Sequence, residues 1–144
     1  MSSSTGTKIE LQILNKIPEI ERVCNSITTF SRQHSIDEKI ISNLYLAVDE
    51  LLTNIIRYGY RDEKDHTIDI RCFIEKELLT LQIEDDSYPF DPNEAPQPDL
   101  TSNLANRKIG GLGIYLVKSM MDDVKYITKN GKNILTLTKR YTIS

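Results

Sequence analysis

The chain has little of what the simplest site chemistries require. Its 144 residues include two cysteines and two histidines, too few to assemble a convincing His/Cys metal cluster or Ser-His-Asp triad. Cys24 and Cys72 stand in apolar patterns rather than at ligand spacing and read as reduced core thiols. His34 and His66 fall at the ends of predicted elements and read as surface groups. No apolar run approaches the ~20 residues that a membrane helix needs. The stretch from Met1 to Thr7 is polar and lacks the apolar core of a signal peptide. A cytoplasmic protein with no membrane partner is expected. There is no dense Lys/Arg run, and a formal net charge of −3 argues against nucleic acid as a partner.

What is present describes an ordinary globular domain. Hydrophobic residues make up 39% and charged residues 27% of the sequence, and the length suits one domain with its own core. Residues 1–7 are expected to be disordered and 8–144 to form that domain. Ile9, Leu11 and Ile13 alternate as a strand. Pro18 opens a helical pattern carried by Ile20, Val23, Ile27 and Phe30 to about Gln33. Ser35 and Glu38 have capping-box spacing, ahead of a second helix with Ile40, Ile41, Leu44, Ala47, Val48, Leu51, Leu52 and Ile55 as its apolar stripe. Gly59 suits a left-handed stop for that helix.

Two strands follow, carried by Ile68, Ile70 and Cys72 and by Leu79, Leu81 and Ile83, with a turn at residues 75–77. Residues 85–107 show little periodicity, as in a lid or binding loop. Gly113 to about Met121 reads as a short apolar helix. Val124, Tyr126 and Thr128 should pair across Asn130 and Gly131 with Ile134, Leu135 and Leu137, because Asn-Gly is a strong hairpin signal. This order predicts an α+β two-layer sandwich: helices on one face of a mixed, mostly antiparallel sheet.

Three short stretches carry candidate chemistry. Glu50 and Asn54 lie four residues apart on one helix, so a carboxylate and an amide share a side. Such a pair suits a hard cation and a proton-accepting role. Arg57, within a turn of Asn54, is placed either to reach a phosphate or to face solvent. Asp85 ends a strand that should lie under the same helix. A carboxylate there can accept a hydrogen bond from an exocyclic amine, although a lone aspartate at a strand end is more often a turn residue. Gly110, Gly111, Leu112 and Gly113 precede a helix, where glycine backbone and free amides suit an anion. The run has neither the P-loop ending nor the dinucleotide glycine spacing.

In order, these stretches resemble the ATP-binding domain of the GHKL superfamily, which has the Bergerat, or histidine-kinase-like ATPase, fold. Within it the likeness is strongest to the small bacterial anti-sigma factor serine/threonine protein kinases. The resemblance covers nearly the whole chain. It implies that residues 46–60 form the N box, with Asn54 as the magnesium ligand, Glu50 as the general base and Arg57 near the phosphates. It implies that Asp85 reads adenine, that Ser87 and Pro89 occupy the two glycine positions of Asp-x-Gly-x-Gly, and that Phe90, Asp91 and Pro92 match a Phe-Asp-Pro common in the small kinases. Residues 109–117 match the second glycine box, whose amides at Gly110, Gly111, Leu112 and Gly113 would hold phosphates below an ATP lid.

Pro89 fixes φ and removes an amide donor. Ser87 would be strained by about 1–3 kcal/mol if the turn required positive φ. The implied cofactors are ATP and Mg²⁺. The implied partners are a sigma factor and an anti-sigma factor antagonist whose serine is phosphorylated; relatives commonly form homodimers, on which the sequence is silent. The expected function is an ATP-dependent kinase acting as an anti-sigma regulator. The alternatives are a nucleotide-dependent binding module without kinase activity and an interaction domain that has lost its pocket.

Overall fold

A computed structural model of the chain describes residues 6–94 and 111–142. Within them the order is β1 (Gly6–Leu14), α1 (Glu19–Gln33), α2 (Glu38–Tyr58), β2 (Thr67–Glu75), β3 (Leu78–Asp85), α3 (Gly111–Met120), β4 (Asp123–Lys129) and β5 (Lys132–Arg140). β1 starts at Gly6, ahead of the expected position, because Gly6 and Thr7 continue the ladder against Glu75 and Ile74. The five strands form one sheet in the order β1-β2-β3-β5-β4.

Every strand pair among the described residues is antiparallel, which corrects the expectation of a mixed sheet. The physical reason lies in the connections. α1 and α2 together reverse the chain between β1 and β2. β4 does run parallel to β3, but β5 is inserted between them, so the parallel pair never forms.

Period-two alternation sends one set of side chains from each strand into the core. Ile68, Ile70, Cys72 and Ile74 of β2, Leu79, Leu81 and Ile83 of β3, and Leu135 and Leu137 of β5 are buried. The helices cover this face with Val23, Ile27 and Phe30 of α1, Leu44, Val48, Leu51 and Leu52 of α2, and Ile114 and Val117 of α3. α2 packs against both α1 and α3. Both cysteines are buried and free, and burial pushes their thiols up to about 12. The opposite face carries polar ladders, such as Arg71 bonded to Glu84 at 3.1 Å and to Gln82 at 3.3 Å.

Two local expectations exchange places. Ser35, not Gly59, adopts the left-handed conformation, with φ 58°. Ser35 N–H donates to Arg32 O and Ile36 N–H to Ser31 O, the bond pair of a Schellman ending for α1. Glu38 is not the third helical residue of a capping box but the first residue of α2, and it pairs with Arg32 at 2.8 Å. Gly59 remains right-handed at φ −86°. A Cβ there would meet Ile55 O at 2.6 Å and Ser87 Cβ at 2.7 Å. Glycine is therefore needed at residue 59 for close approach rather than for handedness, and what approaches is the turn leaving β3.

The histidines are half-buried rather than surface groups. His34 bonds Phe30 O at 2.8 Å and Thr7 Oγ1 at 2.7 Å. His66 lies beside the turn leaving β3.

Candidate functional site

The site is built where the far end of α2 meets the end of β3. Tyr88 N–H donates to Gly59 O at 2.6 Å, so the turn after Asp85 is tied to the residue that caps the end of α2. Arg61 lies over the Tyr88 ring at 4.3 Å, a cation–π contact on the same seam. Pro89 and Phe90 are exposed beyond it. Asp91 Oδ1 accepts Asn93 N–H at 2.9 Å, and Asn93 Nδ2 donates to Val124 O at 2.9 Å. The Phe-Asp-Pro stretch thus enters a short turn, Pro92–Glu94, anchored on β4.

Asp85 is 4% exposed and stands opposite Asn133 of β5 in the ladder. Its Oδ1 accepts from Ser87 N–H at 2.9 Å, from the Ser87 hydroxyl, and from Asn133 Nδ2 at 3.0 Å. Asn133 Nδ2 also donates to Ser87 O at 2.8 Å, while its Oδ1 accepts the Tyr126 hydroxyl at 2.8 Å. The carboxylate is held from one side, and among the described residues no donor reaches Oδ2. A buried carboxylate with one saturated and one available oxygen fits an exocyclic amine as its partner.

Ser87 is not among the residues with positive φ. The anticipated strain is absent, and the serine instead braces Asp85. Sequence reasoning missed Asn133 and Tyr126, although a signal was there. In the alternation Asn133, Leu135, Leu137, a polar residue holds an inward position and asks for a partner. Across the hairpin Val124 and Tyr126 pair with Leu137 and Leu135 as expected, whereas Thr128 faces Asn133 and Ile134 faces Ile127, with Ile134 half-buried between Asn133 and Leu135.

On α2, Glu50 and Asn54 are both half-buried and one turn apart. Burial first, and then the nearby Asp49 carboxylate, raise the Glu50 pKa above its ordinary value. The Glu50 side chain lies against α3 at Gly113, where a Cβ would overlap the carboxylate. The structure thus brings the carboxylate helix and the glycine run together. Gly111 and Leu112 begin α3; Gly110 lies outside the described residues. Among the described residues the Asn54 amide makes no side-chain hydrogen bond. Arg57 is exposed on the last turn of α2, and Arg61 rather than Arg57 contacts the turn leaving β3.

Among the described residues no group of three or more His, Cys, Asp or Glu side chains can hold a metal ion. The available donor set, one amide oxygen at Asn54, fits an ion that draws its other ligands from phosphates and water, as Mg²⁺ does. Among the described residues no helix is long and apolar enough to cross a membrane.

Comparison with known proteins points the same way. A serine-protein kinase RsbW of Listeria monocytogenes is 26% identical over 132 residues, covering 89% of this chain and 84% of that protein. An anti-sigma F factor of Clostridium novyi is 26% identical over 141 residues, covering 96% and 99%. The serine-protein kinase RsbW of Bacillus subtilis is 29% identical over 98 residues, or 65% and 61%. Among solved structures, that of the RsbU and RsbW domains of Rv1364c from Mycobacterium tuberculosis superposes with a TM-score of 0.63 at 11% identity. That match covers 94% of this chain and 32% of the other, and shows the shared fold. The family model described as a histidine kinase-like ATPase domain matches residues 15–139, and the chain belongs to that family.

Proposed function

We propose that this chain is an ATP-dependent serine/threonine protein kinase that also acts as an anti-sigma factor in a bacterial partner-switching circuit, working in the cytoplasm. The observation that carries the reading is the constellation at the end of α2. A buried Asp85 with one braced oxygen faces a helix that presents Asn54 and a carboxyl of raised pKa at Glu50. The named relatives, a serine-protein kinase and an anti-sigma F factor, support the same reading. So does the family's dependence on ATP.

In this reading Asp85 Oδ2 accepts the exocyclic amine of adenine and discriminates against guanine, which presents a carbonyl there. Asn54 supplies its side-chain oxygen to Mg²⁺. The ion's role is to neutralise phosphate charge and orient the transferred group. Backbone amides of the run Gly110, Gly111, Leu112 and Gly113 hold the phosphates. Glu50 takes the proton of a partner's serine hydroxyl while the serine oxygen bonds to phosphorus and the bond to the ADP oxygen breaks. A base of raised pKa is better matched to that step near neutrality than an ordinary carboxylate. The protein partners are a sigma factor and a small antagonist carrying the acceptor serine.

One observation favours a second reading, a nucleotide-dependent binding module without transfer. The Glu50 carboxylate is packed against Gly113, which would be its whole role if α3 never moves away. Calorimetry with Mg-ATP on wild type and Asp85→Asn, followed by a transfer assay, separates the possibilities. Binding lost in the variant together with transfer by wild type supports the kinase. Tight binding without transfer supports the module. No binding by wild type overturns both.

A further inference from the structure

His66 belongs to no catalytic role so far assigned, yet three chain segments converge on it. Its backbone is fixed to the end of β1: His66 N–H donates to Asn15 Oδ1 at 2.9 Å, and His66 O accepts Asn15 N–H at 3.0 Å. Its ring stacks on Tyr60 just past α2, with centroids 4.4 Å apart and an interplanar angle of 23°. Nε2 lies 2.8 Å from Asp62 Oδ1, and Nδ1 lies 3.1 Å from Asp86 Oδ2. Asp86 is the residue immediately after Asp85. The side chain of His66 is 17% exposed, against 45% for Asp62 and 36% for Asp86.

The geometry has one electrostatic solution. A neutral imidazole has a single N–H, so its other nitrogen would turn a lone pair toward a carboxylate oxygen. Only the imidazolium can donate to both aspartates at once. Asp62 is itself oriented by Lys64 N–H at 3.0 Å. Beneath the ring, the Tyr60 hydroxyl is buried and has no hydrogen-bond partner among the described residues. Burial, with Asp85, Asp86 and Asp62 nearby, raises its pKa. The charged groups around the ring are therefore Asp62 and Lys64 from the segment after α2, and Asp85 and Asp86 from the exit of β3. The neighbouring Asp65 is paired with Lys16 at 2.9 Å.

We propose that protonated His66 is a positioning residue for nucleotide binding: it ties Asp62 to Asp86 and so locks the strand exit that presents Asp85. The inference rests on the reading of Asp85 as the adenine acceptor. Asn133 and Ser87 fix the Asp85 side chain from β5 and the turn; His66 holds the side chain of the adjoining Asp86 from the β2 side. The His66 pKa is raised by its bonds to Asp62 and Asp86. A raised histidine pKa means the clasp is complete below the unfolded value, about 6.5, and is lost as pH rises through the higher folded value. Above that point the competent turn is only a fraction of the population, and apparent affinity falls by that fraction.

The test is Mg-ATP calorimetry on the full chain at about pH 6 and about pH 8.5, with wild type, His66→Gln, Asp86→Asn and Asp85→Asn. Wild type is expected to bind roughly three- to tenfold more weakly at the higher pH. His66→Gln should show the weaker affinity at both pH values. Asp86→Asn keeps the ring in place and should also lose most of the pH dependence, which covers the case in which His66→Gln fails to fold. Protonation of the nucleotide itself cancels in the ratio of variant to wild type. The same pH dependence in wild type and in either folded clasp variant overturns the inference while leaving Asp85 in place. Wild-type affinity in Asp85→Asn overturns the reading of Asp85 and the inference with it.

Discussion

Gly113 of α3 and Glu50 of α2 occupy one another's space: a single methyl group added at Gly113 would overlap the Glu50 carboxylate. The glycine therefore permits two helices to meet with a charged side chain between them. Gly113→Ala should force the carboxylate or the helix to move, at a cost of about 1–3 kcal/mol as for other overpacked sites. The cost should largely vanish when Glu50→Ala is combined with it, and a double-mutant cycle in urea measures that coupling. Additive costs would show that something other than Glu50 requires the glycine.

Glu50 also carries an electrostatic prediction. Its folded-state pKa is raised, chiefly by burial and secondarily by Asp49, so the folded protein holds this proton more tightly than the unfolded chain. Stability then falls as pH rises from the unfolded value through the raised one, and the full penalty is present above the raised value. Glu50→Gln removes the charge and is expected to be at least as stable as wild type at neutral pH, with the advantage fading in acid. Phosphoryl transfer should drop by roughly 10²–10⁴-fold with ATP binding retained. Wild-type transfer should decline on the acid side as Glu50 takes its proton. Urea unfolding at two pH values and a transfer assay check both; a less stable glutamine variant at neutral pH would contradict the sign.

How much of this was legible follows from what each signal depends on. The α1 stripe through Val23 and Phe30, the α2 stripe through Leu44 and Leu52, and the Asn130–Gly131 turn are set by local periodicity and backbone freedom, and all are found. Lys76 and Glu77 form a turn with φ of 50° and 63°, although neither residue favours that region; the ladder between β2 and β3 imposes it. Ser35 and Gly59 look like a cap and a stop from their neighbours alone. Their roles are decided by Arg32 capturing Glu38 and by Ser87 approaching Gly59, contacts no local pattern contains. The same holds at the site. Asp85 and Glu50 were readable as residues, whereas the brace at Asn133 depends on the register between β3 and β5.

The Asn133 brace is open to direct test. Asn133 is 5% exposed, and its amide orientation is fixed because Tyr126 donates to Oδ1 while Nδ2 donates to Asp85 and Ser87. Asn133→Ala removes the cross-strand donor to Asp85 Oδ1 and leaves the carboxylate to Ser87 alone. ATP affinity should fall about tenfold, or ~1.4 kcal/mol, on top of a folding cost of about 1–3 kcal/mol for the unpaired buried groups. Tyr126→Phe keeps the amide but removes the hydroxyl that sets its orientation, so its effect should have the same direction and be smaller. Asn133→Asp places a second carboxylate beside Asp85 and should be the most damaging of the three, with part of the loss recovered as pH falls and one carboxyl is protonated. Calorimetry with Mg-ATP ranks the set. A ranking in which Asn133→Asp binds as well as wild type would mean that Asp85 does not need its brace.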